Sequence, residues 1–148
     1  MRTQPPSPTA SADPLAGERA MATRGLADAL GIRLVELTAA RVVATMPVDE
    51  RTRQPYGILH GGASVALAET VASLGALMNV DRERQTMVGL EINANHLRAK
   101  TEGEVTATAT PIHVGRSTQV WDIRIVDEAG RPVCVSRCTL ALVPKREG

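Results

Sequence analysis

The segment YGILHGGASVALAETVASLGALMNV, residues Tyr56–Val80, decides how this chain of 148 residues folds. It predicts a short turn followed by a helix from about Gly61 to Asn79, in which apolar side chains leave no polar face. A helix that is apolar all round is buried, so the rest of the chain is expected to wrap around it. Glu69 lies in the middle of this helix. Because His60, Glu69 and four glycines interrupt the segment, it is not expected to span a membrane.

Length and composition restrict the class of protein. The length predicts one domain, residues 15–148, after a Pro- and Ser-rich disordered tail, residues 1–14. With 17 basic and 16 acidic residues and no run of like charge, neither nucleic acid nor a membrane surface is an expected partner. Cys134 and Cys138 would lie about 13 Å apart on one strand, too far for a disulfide. Free thiols and the lack of a secretory leader predict a cytoplasmic protein.

Hydrophobic periodicity predicts the other elements. An amphipathic helix over Leu15–Leu30 is expected to end at Gly31. Two strands precede the central helix and four follow it, at Ile32–Leu37, Arg41–Val48, Thr86–Ala99, Glu104–Val114, Ser117–Val126 and Pro132–Val143. In the first strand after the helix, one face is expected to hold Val88, Leu90, Ile92, Ala94 and His96. An antiparallel sheet wrapped round one long helix accounts for this order, an α+β architecture known as the hotdog fold.

The central helix carries the main candidate catalytic groups. Glu69, desolvated by apolar neighbours, would act as a base or nucleophile toward an ester-like carbonyl, with Ser73 at i+4 on the same face. Gly61 and Gly62 stand where helical N–H groups have no intrahelical partner, which suits a developing oxyanion. For Glu69, the structural alternatives are a buried acid hydrogen-bonded to a neighbouring chain or an acid simply exposed at a subunit edge. For the two glycines, the alternative is close helix–sheet packing.

The spacing of Gly61 and Glu69 predicts a site built from two chains. Eight residues of helix separate them by about 12 Å, whereas both groups must lie near 3 Å from one reacting centre. Two antiparallel copies of the helix related by a two-fold axis would set Gly61 of one against Glu69 of the other. We therefore expect an obligate dimer with two sites at its interface.

Other polar residues are candidates for binding. Gln54 could donate to a thioester carbonyl or simply be solvated, and His60 would fix the turn before the helix. His96 is either a hydrogen-bonded core histidine or a residue that positions the substrate. Arg98, and the turn of Gly115, Arg116, Ser117 and Thr118 with its one cation and two hydroxyls, offer cations and free backbone donors that suit phosphate groups. The alternative is that the two arginines are ordinary surface charges. The scattered histidines and cysteines show no metal-ligand spacing, and no cofactor is expected.

The motif QPYGILHGGASVALAETVAS, with VGLEINANHLR and HVGRSTQVWDIRIVDEAGR after it, resembles the hotdog-fold acyl-CoA thioesterases. The branch is that of the 4-hydroxybenzoyl-CoA and phenylacetate-pathway enzymes, and in particular the 1,4-dihydroxy-2-naphthoyl-CoA thioesterases. The resemblance spans about Gly31 to Val143. It implies that Glu69 is the catalytic carboxylate, that Gly61 supplies the oxyanion-hole N–H and that the Gln54 amide polarises the carbonyl. It also implies that His60 is the motif histidine, that the Ser73 hydroxyl orients water and that His96 contacts the substrate.

The same resemblance implies where CoA binds and how the chains form an oligomer. Arg98 and the Gly115–Thr118 turn fall where the family holds the CoA phosphates and pantetheine, and the family forms homodimers that assemble into homotetramers. The expected reaction is hydrolysis of an aromatic or medium-sized acyl-CoA to the free acid and CoA. The alternatives are a non-catalytic acyl-CoA-binding module and, less favoured because no Asp-x4-His pair is present, an acyl-CoA dehydratase.

Overall fold

A computed structural model describes residues 15–22 and 24–145 of the chain. The predicted tail, residues 1–14, lies outside the described residues. The elements follow in the order α1 (Ala16–Ala22), α2 (Leu26–Ala29), β1 (Arg33–Leu37), β2 (Val42–Pro47), α3 (Gly61–Leu77), β3 (Gln85–His96), β4 (Glu104–Val114), β5 (Thr118–Val126) and β6 (Pro132–Pro144). The predicted positions of the central helix and of all six strands are confirmed to within a few residues.

The six strands form one antiparallel sheet that covers the central helix. Their order is β1-β2-β4-β5-β6-β3, so β1 and β3 are its edges. Helix α3 contacts every strand from β2 to β6. Its buried side chains and the inward side chains of the sheet form one core. This arrangement is the predicted hotdog fold, and it arises because a helix without a polar face must be covered.

Buried and more exposed side chains alternate along β4, β5 and β6, as the sequence predicts. Inward residues of β4, β5 and β6 are buried while their neighbours face out. Cys134 and Cys138 are both free and buried on the inward face of β6. Burial, with a smaller effect from the negative charges of Glu69 and Glu91, raises the pKa of the Cys138 thiol to about 11. The thiol is therefore protonated at neutral pH and packs as a small apolar group.

The prediction for the faces of β3 is wrong in part. Val88 and Leu90 are 45% and 60% exposed, whereas Met87, Ile92 and Ala94 pack against the core. The register with β6 slips between Gly89 and Glu91, which leaves Leu90 with no residue opposite. Such a bulge moves every later side chain to the other face, so a strict alternation across it fails.

The amphipathic segment before β1 also differs from its prediction. It forms two short helices rather than one, because Gly25 takes a positive φ of 62° before α2 begins. A right-handed helix cannot continue through that conformation. The predicted glycine stop is confirmed: Gly31 N–H donates to Asp28 O, and Ile32 N–H donates to Ala27 O. These two bonds satisfy the last carbonyls of α2.

Trp121 joins the sheet to the central helix. Its ring is fully buried and lies against Gly75, where an added Cβ would come within 2.5 Å of a ring carbon. Trp121 Nε1 donates to Gln119 Oε1 over 3.0 Å, and Gln119 Nε2 donates to the carbonyl of Ala76 over 3.4 Å. A chain without phenylalanine thus fills the centre of its core with one indole and satisfies its polar nitrogen there.

Glu128 stabilises the turn between β5 and β6 in a pH-dependent way. Its carboxylate accepts hydrogen bonds from Lys100 Nζ at 2.6 Å and from Glu104 N–H at 2.7 Å. The Lys100 bond, followed by the backbone bond, lowers its pKa from 4.5 to about 2. A lowered pKa in the folded state means that this stabilisation is complete above pH 4.5 and is lost as the pH falls toward about 2.

We expect Glu128→Gln to lower the midpoint of urea denaturation at pH 7, because the charged acceptor is lost. The difference from the wild type should shrink as the pH falls from 4.5 to about 2, since the wild-type carboxylate is then protonated as well. Urea titrations at several pH values measure this. Glu102→Gln, at an exposed glutamate nearby, should show no such difference. A Glu128→Gln difference that stayed constant with pH would contradict the assignment.

Candidate active site

The start of α3 presents one free backbone donor. His60 is the N-cap residue, and its Nδ1 accepts a hydrogen bond of 2.8 Å from Gly62 N–H. Nδ1 therefore carries no proton, and His60 fixes the turn as the sequence predicts. Gly61 N–H makes no hydrogen bond to any residue that the structure describes. It lies at the positive end of the helix dipole, where a negatively charged oxygen is stabilised.

A cleft at this helix start brings four of the predicted residues together. It measures about 440 Å³, and we call it the Gly61 cleft. Its lining comprises Gln54, Ile58, Leu59, Gly61, Ser64, His96, Leu97, Arg98, Ala99 and Val133. The His96 ring lies directly on Gly61, because a Cβ added there would be 2.8 Å from its Nε2. A side chain at position 61 would displace that ring and cover the free N–H.

A second cleft holds the carboxylate, and we call it the Glu69 cleft. It measures about 340 Å³ and is lined by Leu26, Ala27, Ala66, Glu69, Thr70, Ser73, Leu74, Leu77 and Met87. Most of these side chains are apolar. Ser73 faces the same cleft as Glu69, as their spacing on the helix predicts.

Glu69 is exposed in the single chain, which differs from the expected burial. Its carboxylate points toward β3, and Oε1 would be 2.9 Å from a Cβ added to Gly89. Since β3 is an edge of the sheet, no further strand within residues 15–22 and 24–145 covers that side. Glycine at the bulge leaves room for the carboxylate against the strand. Apolar residues line the cleft beside Glu69, but one chain does not close over it.

The two clefts are separate within one chain. Glu69 and Ser73 line one of them, while Gln54, Gly61 and His96 line the other. Glu69 lies at the Gly89 end of β3 and Gly61 at its His96 end. This separation agrees with the argument from helix rise that one chain does not supply both groups.

The residues expected to hold the CoA phosphates do not converge in one chain. Thr118, beside the Gly115 turn, pairs with Ala141 of β6, and Ala141 pairs in turn with Val88 of β3. The turn therefore lies level with the Val88 end of β3. Arg98, by contrast, follows the opposite end of β3, two residues after His96. Eight residues of strand separate these ends by about 26 Å. Arg98 lines the Gly61 cleft, whereas Arg116 and Ser117 are exposed on the distant hairpin.

Sequence reasoning missed three residues beside these clefts. Ser64, in the first turn of α3, lines the Gly61 cleft, and Leu26 of α2 lines the Glu69 cleft. Gly89 lies against the Glu69 carboxylate. A glycine inside a strand often marks a bulge or a place where another group approaches the backbone closely, so the role of Gly89 could have been predicted from the sequence. No local signal places Leu26, because its position depends on how α2 packs against α3.

Two absences follow from the described part of the chain. No helix in residues 15–22 and 24–145 is long and apolar enough to cross a membrane. Within those residues, no group of three or more His, Cys, Asp and Glu side chains is placed to hold a metal ion.

Comparison with known proteins decides the family. Residues 56–134, which include the whole of α3 and β3, match the family model described as "Thioesterase superfamily". The chain belongs to the thioesterase superfamily. It is a thioester hydrolase, and the sequence-based assignment to the hotdog-fold thioesterases is confirmed.

Individual thioesterases and esterases are similar over most of the chain. A putative esterase, ComA2, of Bacillus subtilis is 61% identical over 120 residues, 81% of this chain and 95% of its own. The 1,4-dihydroxy-2-naphthoyl-CoA hydrolase of Listeria monocytogenes is 49% identical over 123 residues, 83% of this chain and 99% of its own. A mutant of thioesterase PA1618 from Pseudomonas aeruginosa superposes with a TM-score of 0.85 at 46% identity, over 91% of this chain and 97% of that structure.

Proposed function

We propose that this thioesterase hydrolyses acyl-CoA thioesters to a free acid and CoA, with an aromatic or medium-sized acyl group. The observation that carries the proposal is the carboxylate of Glu69 at the wall of an apolar cleft, on the helix whose first N–H, at Gly61, is free. Relatives named 1,4-dihydroxy-2-naphthoyl-CoA hydrolase, 49% and 48% identical, support a CoA ester and make that acyl group the first candidate.

The proposed chemistry assigns each group a role. Glu69 either removes a proton from the attacking water or attacks the thioester carbon itself, forming an anhydride that water then opens. In both routes the carbonyl oxygen becomes negative and accepts hydrogen bonds from Gly61 N–H and the Gln54 amide. The carbon–sulfur bond then breaks, and the CoA thiolate takes up a proton. Ser73 orients the water beside Glu69.

Pairing of two β3 strands supports a site shared between two chains. In each chain Glu69 lies against Gly89, and Gly61 lies against His96. Antiparallel pairing about a two-fold axis near Ile92 would place Gly89 opposite His96 of the partner subunit, with the strands about 4.8 Å apart. Glu69 would then approach Gly61 of the partner subunit, and the second chain would cover the carboxylate. The homodimer follows from this argument, whereas the homotetramer and cytoplasmic location rest on the earlier predictions.

The Glu69 cleft favours an apolar acyl group of moderate size. Its volume of about 340 Å³ lies at the lower end of small-molecule sites. Leu26, Leu74, Leu77 and Met87 supply aliphatic walls, and no aromatic side chain lines it. Recognition of a ring would therefore depend on shape and on aliphatic contact rather than on aromatic stacking.

The test is thiol release from a panel of CoA esters. We expect 1,4-dihydroxy-2-naphthoyl-, benzoyl- or phenylacetyl-CoA to give kcat/KM of at least about 10⁴ M⁻¹s⁻¹, as is usual for a cognate substrate. Palmitoyl-CoA, a long-chain ester outside the proposed aromatic or medium-sized class, is the control and should be at least tenfold poorer. Tight binding of these esters without thiol release would contradict hydrolysis and favour an acyl-CoA-binding module.

A further inference from the structure

Ser64 is a nearly buried residue whose unpaired hydroxyl opens into the Gly61 cleft. The residue is 2% exposed and lines that cleft with Gly61, Gln54 and His96. Its side chain makes no hydrogen bond to any residue in the described part of the chain. Buried polar groups are nearly always paired, because an unpaired one loses its hydration without compensation. A water molecule or a ligand in the cleft is therefore the natural partner of this hydroxyl.

Two other hydroxyls near the core, on α3 and β6, are paired within the chain. Thr70, also on α3, donates to the carbonyl of Ala66 over 2.7 Å, four residues earlier. Ser136, 1% exposed on β6, donates to the carbonyl of Asn93 over 2.7 Å. The equivalent acceptor for Ser64 is His60 O, which already accepts from the N–H groups of Ala63 and Ser64. The Ser64 hydroxyl thus differs from those of Thr70 and Ser136 in having no hydrogen-bond partner within the described chain.

The position of Ser64 on the helix suits an oxygen bound at Gly61 N–H. Three residues of α-helix separate the two by about 4.5 Å along the axis, on nearly the same face. Helical side chains lean toward the N-terminus, which brings the Ser64 hydroxyl closer to the Gly61 end. Two donors that each lie about 2.9 Å from one oxygen are at most about 5.8 Å apart. The helix geometry therefore allows both donors to meet a single oxyanion.

We propose that Ser64 is a further catalytic residue, whose hydroxyl donates to the thioester oxygen held by Gly61 N–H. The inference rests on the proposed function, since it assumes that the reacting carbonyl binds in the Gly61 cleft. Gln54, Gly61 and Ser64 then form three donors around one oxygen. The thioester oxygen is more negative in the transition state than in the bound ester, so a preorganised hydroxyl donor stabilises the transition state more.

Ser64→Ala tests this role. We expect kcat to fall about 10²-fold with KM within about threefold of the wild type, as for loss of one oxyanion donor. Ser64→Thr keeps the hydroxyl and should retain kcat to within about tenfold. The melting temperature of Ser64→Ala should be unchanged or higher, because the hydroxyl it removes has no partner in the fold. Ser136→Ala is the matched control: a buried, paired serine outside both clefts should lower the melting temperature and leave kcat unchanged.

Two results would overturn the inference. One is a Ser64→Ala enzyme with kcat within twofold of the wild type. The other is a fall in kcat accompanied by a lower melting temperature, as for Ser136→Ala, because that pattern belongs to a packing role. If Glu69→Gln is inactive while Ser64→Ala is fully active, only this inference fails. Should no CoA ester be hydrolysed, the benzoyl thioester of N-acetylcysteamine serves as substrate for the same comparison, so that Ser64 is tested even when the proposed CoA specificity fails.

Discussion

Glu69→Gln is expected to lower kcat for thioester hydrolysis by about 10³-fold, with KM within a few-fold of the wild type. Glutamine keeps the size of the side chain and its place against Gly89. It can neither accept a proton from water at neutral pH nor form an anhydride with the acyl group. Steady-state thiol release with the best ester of the panel measures the effect, and a single-turnover experiment separates chemistry from product release.

Glu36→Gln is the matched control for this prediction. Glu36 is a half-buried carboxylate on β1, paired with Arg41 over 2.7 Å and outside both clefts. We expect it to keep wild-type kcat. Equal rates for wild type and Glu69→Gln would refute the role of Glu69 in both proposed routes. Circular dichroism and the melting temperature should match the wild type for Glu69→Gln, because glutamine has the same size and can occupy the same place against Gly89.

Mixed oligomers test whether each site draws on two chains. A Glu69→Gln chain paired with a Gln54→Ala chain would form one doubly altered site and one intact site. Random pairing of equal amounts would then restore about a quarter of wild-type activity, because half the dimers are mixed and each has one good site of two. Co-expression of equal amounts of the two chains gives this sample, and tandem purification through two different tags isolates the mixed dimers, which should keep about half of the wild-type activity. If each site belonged to a single chain, the mixture would show no activity above the two variants alone.

Trp121→Ala is expected to destabilise the fold by about 4 kcal/mol, the largest effect on stability that we predict. The change opens a cavity between β5 and the Gly75 segment of α3. It also removes the donor to Gln119 Oε1, which leaves a buried amide oxygen unpaired. A loss of this size is a large part of the 5–15 kcal/mol that holds a domain of this kind together. Urea denaturation at a fixed protein concentration measures it.

Two variants separate the causes of that destabilisation. Trp121→Phe keeps an aromatic ring against Gly75 but loses Nε1, so its cost should be about half that of alanine. Val35→Ala removes an apolar side chain that is 58% exposed on β1, and it should shift stability by no more than about 0.5 kcal/mol. A Trp121→Ala protein as stable as Val35→Ala would show that the indole is not the centre of the core.

Local pattern predicts the elements of this fold because each signal lies within a few residues. The apolar run after Gly61 predicts a covered helix, and the alternation in β4, β5 and β6 predicts which side chains cover it. The pattern fails at Gly25 and at Leu90. In the first case glycine takes a conformation that interrupts the helix, and in the second a bulge shifts the alternation. Both depend on how the segment packs rather than on its periodicity.

The candidate site divides in the same way. By itself the sequence determined a carboxylate at position 69, a glycine N–H at the start of the same helix and, from the helix rise, a distance between them that one chain does not bridge. Only the tertiary structure decided that Glu69 faces an open sheet edge beside Gly89, and that the Ser64 hydroxyl opens into the Gly61 cleft with no hydrogen-bond partner in the described chain. The physical reason is that helix spacing follows from the chain alone, whereas exposure and hydrogen bonding depend on strands remote in sequence that fold against the helix.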